Sequence, residues 1–234
     1  MSSKKNPRKK PLTNQLRLIA GVWRGSKLNF ADGDGLRPTS ERVRETLFNW
    51  LAPHMKGAHC LDLFAGSGAL AFEALSRGAA TAYAIDTNRQ AVAIMQSEAR
   101  RLGAHQLSVC SADALRWLAS QPLAHGESRF NIVFLDPPFA SDFLPEVVVT
   151  LEQSGLLAVD ARIYIELPGE ADLPAMPAHW QLLKQRRAGN VQYLLFVVEQ
   201  SGSQAVGSLE AQSKSVYYRT VSHALFIKLS SCAV

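Results

Sequence analysis

The stretch Asp136-Pro137-Pro138-Phe139 directly follows the apolar run at residues 130–135 and carries side chains suited to chemistry. The Asp136 carboxylate can accept a hydrogen bond from an amino group. The Pro137 carbonyl can accept a second, because neither proline has an N–H that would fold the loop back. Phe139 offers a ring face on which a flat base can stack. Such a set could hold the exocyclic amine of a nucleobase with its lone pair free to attack, although Asp-Pro also starts ordinary turns.

A glycine-rich turn lies upstream of this motif. Residues 60–70 have the pattern of an apolar strand, a turn with Gly66 and Gly68, and a helix predicted from about Ser67 to Arg77. Glycine lets a backbone turn tightly and approach a ligand without a Cβ in the way. The helix would point its N-terminal amides at that ligand, as in other strand–loop–helix nucleotide sites. The turn therefore predicts a site for a nucleotide-like molecule, unless its role is purely structural.

Four aspartates follow or end four successive predicted strands: Asp62, Asp86, Asp113 and Asp136. In a doubly wound sheet such strand ends face one crevice, so we expect these carboxylates to lie together. A carboxylate at Asp62 favours a ligand with a cation or an amine, and S-adenosylmethionine carries both a sulfonium and an α-amino group. Asp86 stands where a ribose-binding acid belongs, and Asp113 could accept from the adenine amino group. We therefore expect a methyl donor as cofactor.

The same turn leaves a second class of enzyme open. The spacing Gly66-x-Gly68-x-x-Ala71, with Asp86 twenty residues after the first glycine, also fits the dinucleotide fingerprint. An NAD-dependent oxidoreductase is therefore an alternative, although no Lys or His that could serve as its acid–base is obvious beside the turn.

Strand and helix patterns alternate from His59 onward, which predicts an α/β fold with a doubly wound, mostly parallel sheet and helices on both faces. The predicted strands span 59–64, 80–85, 106–110, 130–135 and 161–167, and the predicted helices span 68–77, 88–102, 113–120 and 142–154. Residues 180–187 and 190–198 predict a closing antiparallel hairpin.

The N-terminal region predicts a small extension of this fold. Residues 16–21 and 25–30 have the pattern of a hairpin with Trp23 and Arg24 at its turn. Thr39 or the following serine can cap a helix that runs to about residue 51. The chain thus divides into a basic arm predicted to be disordered, a hairpin–helix extension, a cofactor-binding domain and a tail of unknown role. These four parts cover residues 1–15, 16–55, 56–199 and 200–234.

Positive charge is concentrated near the N-terminus. Residues 1–60 carry twelve Lys/Arg against four Asp/Glu, a net charge of +8, whereas the remainder of the chain is at −3. A short basic arm is typical of segments that bind nucleic-acid phosphates, although it could also be a solubilising tail. The candidate nucleic-acid contacts are Lys4, Lys5, Arg8, Lys9, Lys10, Arg24 and Arg42.

Three other classes of protein are not supported by the composition. No apolar run approaches the ~18 residues of a membrane span, and the N-terminus lacks the apolar core of a signal peptide. The six histidines show no ligand spacing, so no metal site is expected. We therefore expect a cytoplasmic protein without membrane contact.

Three sequence blocks together resemble one known family. They read LRPTSERVRETLFN at residues 36–49, DLFAGSGAL at 62–70 and EALSRGA at 73–79. Their order is similar to that in the bacterial RsmD-type 16S ribosomal RNA guanine-N2 methyltransferases, and the similarity covers roughly residues 16–197. In such S-adenosylmethionine-dependent amino-methyltransferases the tetrapeptide at 136–139 is the catalytic signature.

The resemblance implies a set of site residues, a sheet and a substrate. The implied cofactor-binding residues are Arg37, Thr39, Asp62, Phe64, Ala65, Gly66, Gly68, Asp86, Asp113 and Ala114. It implies a Rossmann-like sheet of seven strands with the last hairpin reversed. It also implies a guanine of 16S ribosomal RNA as substrate, within an assembling small ribosomal subunit, and we expect a monomer.

The motif by itself leaves other targets open, since it serves several exocyclic amines. Adenine N6, in RNA or in DNA, is one alternative. A non-catalytic RNA-binding assembly factor is another, disfavoured because residues 136–139 are intact.

Overall fold

A computed structural model describes residues 13–31, 39–121, 129–138 and 143–199 of the chain. The basic arm at residues 4–10, Arg37, Phe139 and the tail from residue 200 lie outside the described residues. The described strands are β1 (Thr13–Arg17), β2 (Lys27–Ala31), β3 (His59–Asp62), β4 (Thr81–Asp86), β5 (Leu107–Ser111), β6 (Phe130–Leu135), β7 (Leu157–Pro168), β8 (Trp180–Ala188) and β9 (Val191–Val198). The described helices are α1 (Glu41–Met55), α2 (Ala69–Ser76), α3 (Arg89–Leu102), α4 (Ala114–Ser120) and α5 (Phe143–Gln153).

Seven strands form the central sheet in the order β5-β4-β3-β6-β7-β9-β8. The first five of these pair in parallel, and β9 pairs antiparallel with both β7 and β8. This confirms the predicted α/β fold with a mostly parallel sheet and a reversed C-terminal hairpin. The crossover between β3 and β6 divides the parallel strands, so their carboxyl ends open onto one crevice.

Helices cover both faces of the sheet, which is why its central strand β6 is apolar from Ile132 to Leu135. In β6, Ile132 and Phe134 join a core with α1, α2 and α3, whereas Val133 and Leu135 join a second core with α4 and α5. Alternate residues of a strand point to opposite faces, so a strand buried on both sides needs a continuous apolar run. None of the described helices is both long and apolar enough to cross a membrane.

Several elements begin or end away from the predicted residues. β3 stops at Asp62 rather than at 64, because the chain turns at Leu63 and the backbone N–H of Phe64 donates back to the Asp62 carboxylate. α2 begins at Ala69, since Gly68 has a φ of 74° that no right-handed helix contains. α1 continues to Met55, past Pro53 in its last turn.

The N-terminal hairpin is attached to α2 through one buried carboxylate. Glu73, fully buried, accepts the backbone N–H groups of Ile19 (2.8 Å) and Ala20 (3.0 Å). The same carboxylate pairs with Arg77 at 2.7 Å and lies 3.8 Å from Arg44. The Glu73 carboxylate can be buried only with its hydrogen-bond donors in place, and several of these come from the hairpin and from α1. The hairpin and α1 therefore pack as one unit with the sheet domain.

Glu73→Ala should lower the free energy of unfolding by about 3–5 kcal/mol, because it leaves Arg44 and two backbone N–H groups buried without their acceptor. Urea denaturation measures this loss. Glu170→Ala is the matched control, since the Glu170 side chain is 97% exposed and its ion pair with Arg187 should contribute less than about 1 kcal/mol. A Glu73→Ala protein as stable as the control would contradict the attachment.

Candidate active site

Five carboxylates lie along the carboxyl edge of the parallel strands. Asp62 ends β3, Asp86 ends β4, Asp113 follows β5 and Asp136 follows β6. Since β5, β4, β3 and β6 are parallel neighbours, the structure brings these four predicted residues to one edge of the sheet. A fifth acid, Glu166, stands near the end of the next strand, β7.

The glycine turn between β3 and α2 is held by Asp86. Gly66 has a φ of 50°, and its N–H donates to Asp86 Oδ2 at 2.6 Å. Asp86 Oδ1 accepts from the backbone N–H of Asn88 at 2.7 Å. A Cβ added at Gly68 would lie 2.9 Å from the Met95 sulfur, so the turn also packs closely on α3. Asp86 therefore fixes the turn, whatever else its remaining lone pairs bind.

Asp62 lies at the base of this turn, and its carboxyl group is buried and only partly hydrogen-bonded. Its side chain is 2% exposed, and the backbone N–H groups of Phe64 and Ala71 donate to it. Its Oδ1 atom has no hydrogen-bond partner among the described residues. Burial, and then the neighbouring Asp86 charge, raise the pKa of Asp62 to about 7. An orphaned buried carboxylate oxygen fits a ligand that brings a cationic amine, as S-adenosylmethionine does.

Asp136 belongs to a small hydrogen-bonded network that reaches β7. The Thr39 hydroxyl donates to Asp136 Oδ2 at 3.3 Å and also lies within hydrogen-bond reach of Glu166. The Tyr164 hydroxyl donates to Glu166 Oε2 at 2.8 Å. Asp136 is half-buried, and Glu166 is 5% exposed. The network thus joins the N-terminal segment before α1 to the ends of β6 and β7.

The proton count of this network favours one protonated carboxyl group. A hydroxyl has one proton, so the Thr39 hydroxyl can donate to Asp136 or to Glu166 but not to both. Burial, followed by the charges of Glu166 and Asp62, raises the pKa of Asp136 well above its ordinary value. Burial likewise raises the pKa of Glu166, against the hydrogen bonds from Tyr164 and Thr39. Asp136 and Glu166 can then share one proton, with either carboxyl group protonated while the Thr39 hydroxyl donates to the other.

Other predicted residues surround this edge. Pro137 is buried and Pro138 is exposed, directly after β6. Phe64 is half-buried against the core that contains α4 and α5, and Ala65 is buried in the glycine turn. Asp113 is exposed and caps α4, because its Oδ1 accepts the backbone N–H of Arg116 at 3.0 Å; Ala114, the first residue of α4, is buried.

The two described residues predicted to contact nucleic acid lie apart. Arg42 is exposed in the first turn of α1, two residues after the Ser40 cap and near Thr39. Arg24 is exposed in the hairpin turn, where the adjacent Val22 N–H donates to the Ser76 carbonyl. Ser76 ends α2, away from the glycine turn that precedes this helix. The structure therefore does not bring Arg24 to the crevice.

The sequence reasoning missed Glu166, and it expected Arg44 either to flank the cleft or to lie on a solvated helix face. Glu166 is an acid inside the apolar strand pattern of residues 161–167, and that interruption was the available signal. Arg44 is 2% exposed, and it donates to the backbone carbonyls of Thr39 (3.3 Å) and Arg17 (3.0 Å). It therefore holds Thr39 in place, a role that no local pattern indicates.

Comparisons with known proteins agree with this geometry. The family model described as "Conserved hypothetical protein 95", the RsmD family, matches residues 16–197. The chain is 46% identical to "Ribosomal RNA small subunit methyltransferase D" of Escherichia coli K12 over 190 residues, which are 81% of this chain and 93% of that protein. The chain belongs to the RsmD family. This confirms the resemblance found in the sequence, including its extent.

Further RsmD relatives cover the same part of the chain. The Haemophilus influenzae protein of the same name is 40% identical over 185 residues, 78% of this chain and 93% of that protein. Among solved structures, yhhF from Escherichia coli matches with a TM-score of 0.71 and 45% identity over 80% of this chain and 99% of its own. A Haemophilus influenzae structure matches with a TM-score of 0.67 and 36% identity, over 80% of this chain and the whole of that chain.

The stability of Asp62→Asn relative to the wild type should increase by about 2–3 kcal/mol as the pH rises from 5 to 8. The folded-state pKa of Asp62 is raised to about 7. Its contribution to stability is therefore complete below its ordinary pKa and is lost as the pH rises through about 7. Urea denaturation of both proteins at several pH values measures the difference.

Asp113→Asn is the matched control, because that side chain is exposed and Asn is as good a helix cap as Asp. Its stability relative to the wild type should hardly change over the same range. A pH-independent effect of Asp62→Asn would mean that the Asp62 carboxyl is ionised throughout.

Proposed function

We propose that this chain transfers a methyl group from S-adenosylmethionine to the exocyclic N2 amine of a guanine in 16S ribosomal RNA of the small ribosomal subunit. The observation that carries the proposal is the position of Asp136 and Pro137 beside Asp62 and the glycine turn, at one edge of the sheet. A small-subunit ribosomal RNA substrate is supported by the names of relatives at 46% and 40% identity.

The glycine-turn end of the edge would hold the cofactor. The orphaned Oδ1 of Asp62 would accept the α-amino group of a cofactor that lies against the glycine turn. The free lone pairs of Asp86 would bind the ribose hydroxyls, and the exposed Asp113 would bind the adenine amine. When bound, S-adenosylmethionine supplies an electrophilic methyl group on its sulfonium. Roles for Arg37 and Thr39 at the cofactor stay predictions.

The β6 end of the edge would hold the acceptor base. Guanine N2 is a weak nucleophile because its lone pair is delocalised into the ring. Asp136 and the Pro137 carbonyl would accept its two N–H hydrogens and favour the pyramidal nitrogen that attacks. Stacking of the base on Phe139 would contribute about 1–3 kcal/mol, comparable with the few kcal/mol that removing a base from its stack requires.

Asp136 would also take up the proton that the methylated amine releases. A carboxylate with a raised pKa is a better proton acceptor at neutral pH than an ordinary aspartate. Glu166, acting through Thr39, would orient Asp136 and set its pKa without touching the base. Arg44 would affect Asp136 only through Thr39, because it donates a hydrogen bond to the Thr39 carbonyl.

Asp136→Ala should reduce kcat by about 10²–10⁴, in the range of lost general-base catalysis, because the amine loses its acceptor. The affinity for S-adenosylmethionine, measured by calorimetry, should change little. Asp136→Asn should retain more activity than Asp136→Ala, since an amide oxygen still accepts one hydrogen bond. Methyl transfer by Asp136→Ala at the wild-type rate, assayed with a tritiated cofactor, would refute this role.

Glu166→Gln should shift the acidic limb of the kcat–pH profile to lower pH. Activity requires ionised Asp136, and removing a neighbouring carboxyl group lowers the pKa of Asp136. Glu152→Gln is the matched control. Glu152 accepts a hydrogen bond from Trp180 Nε1, which packs in the core with α4 and α5, and it has no contact with the carboxylates of the candidate active site among the described residues. A loss of activity by Glu166→Gln that is equal at every pH would indicate a structural role alone.

The substrate is tested by methyl transfer to three acceptors: small subunits from cells lacking this protein, protein-free 16S ribosomal RNA, and DNA. Digestion and chromatography then identify the labelled nucleoside. We expect N2-methylguanosine, with strong labelling of subunits and weak labelling of free RNA. N6-methyladenine or labelled DNA would overturn the substrate but not the chemistry. Binding of NAD in place of S-adenosylmethionine would overturn both.

A further inference from the structure

The edge strand β8 exposes an unusual row of cations. Residues 181–187 are all exposed, and they include Lys184, Arg186 and Arg187 but no acid. Among the described strands, β8 pairs on one side only, with β9. Charged residues on an edge strand can simply prevent edge-to-edge aggregation, so exposure alone does not establish a binding surface.

The register of the sheet places these cations level with the candidate active site. Arg186 is paired with Tyr193 of β9, and Tyr193 is paired with Glu166 of β7. Leu135 of β6 is paired with Ile165, so the next residues, Asp136 and Glu166, lie at the same level. Three strand spacings of about 4.8 Å put the Arg186 backbone about 14 Å from that of Asp136. An RNA strand whose base is at Asp136 would pass within a few nucleotides of Arg186.

Two of the three cations point to the face that carries α1. Lys184 is opposite Leu195 and Arg186 is opposite Tyr193, and directly paired side chains lie on the same face of a sheet. Both partners belong to the core that α1 completes, where Trp50 stacks on Tyr193 at 5.4 Å. This is also the helix with Thr39 before its first turn and Arg42 exposed on it.

The third cation points the other way. Arg187 is paired with Gln192 of β9, and the side chain of Gln192 donates to the Pro168 carbonyl at 3.1 Å. Gln192 precedes Tyr193 in the strand, so the two side chains lie on opposite faces of the sheet. Arg187 has a carboxylate partner, Glu170, at 3.5 Å. Lys184 and Arg186 have no ion pair within the described residues, so their charges are available to a ligand.

A nucleic acid that binds at the candidate active site needs positive charges nearby. Five acids line the carboxyl edge of the sheet, and they repel the phosphates of any nucleic acid that brings a base to Asp136. We propose that Lys184 and Arg186, the β8 basic strip, bind the phosphates of the RNA strand that flanks the target nucleotide. This inference rests on the proposed function and names where the substrate lies.

Binding of RNA by Lys184→Ala, Arg186→Ala and Arg187→Ala tests the β8 basic strip. The probes are small ribosomal subunits from cells lacking this protein and a protein-free 16S transcript, titrated at several salt concentrations. We expect the first two variants each to weaken binding to both probes about 3- to 10-fold. Each should also lower the slope of log K against log salt by about 0.7, the value per phosphate contact on single strands.

Arg187→Ala is the matched control, with the same charge on the same strand but the opposite face. It should bind like the wild type, and all three variants should keep the wild-type affinity for S-adenosylmethionine. If the three variants weakened RNA binding equally, or if none of them weakened it, the β8 basic strip would serve only to keep the edge strand soluble. A loss on subunits but not on the transcript would assign it to a ribosomal protein instead. Failure of the wild type to methylate any RNA would refute the proposed function independently of these binding results.

Discussion

The structure depends on keeping several carboxyl groups together at the edge of a parallel sheet. Asp62, Asp136 and Glu166 lie on adjacent strands, and burial raises the pKa of each of them. Neighbouring carboxylate charges raise the pKa values of Asp62 and Asp136 further. Each is kept there by specific donors: backbone N–H groups for Asp62, the Thr39 hydroxyl for Asp136 and the Tyr164 hydroxyl for Glu166. The same burial leaves Asp62 Oδ1 without a partner among the described residues and raises the pKa of Asp136, and both features suit the proposed function.

The N-terminal extension contributes residues to the hydrogen-bonded network at this edge of the sheet. Glu73 of α2 holds the hairpin, Arg44 of α1 reaches both the hairpin and the Thr39 carbonyl, and Thr39 reaches Asp136. A buried chain of polar contacts therefore runs from the helix behind the glycine turn to the acceptor side of the crevice. Under the proposed function, these contacts would help to align the cofactor and the acceptor base.

The sequence predicted those parts of the molecule that local patterns determine. The apolar run of β6, the glycine turn and the four strand-end aspartates follow from strand periodicity and from the φ values that glycine permits. The seven strands and the reversed last hairpin followed from the family resemblance. Glu166, Arg44 and the Thr39–Asp136 bond could not be read in this way. Thr39 and Asp136 are 97 residues apart, and Arg44 reaches Arg17 across 27 residues. Glu166 belongs to a strand whose register the sequence does not specify. The start of α2 was misplaced because Gly68 fits the helix pattern by spacing but not by conformation.

The proposed function requires that Asp136 presents a ribosomal guanine amine to a methyl donor. The most direct measurement is nucleoside mass spectrometry of 16S ribosomal RNA from cells that lack this protein, complemented with the wild type or with Asp136→Ala. We expect that an N2-methylguanosine is missing from the deletion strain, is restored by the wild type and is not restored by Asp136→Ala. Ribosomal RNA with the same N2-methylguanosine content in all three strains would contradict it.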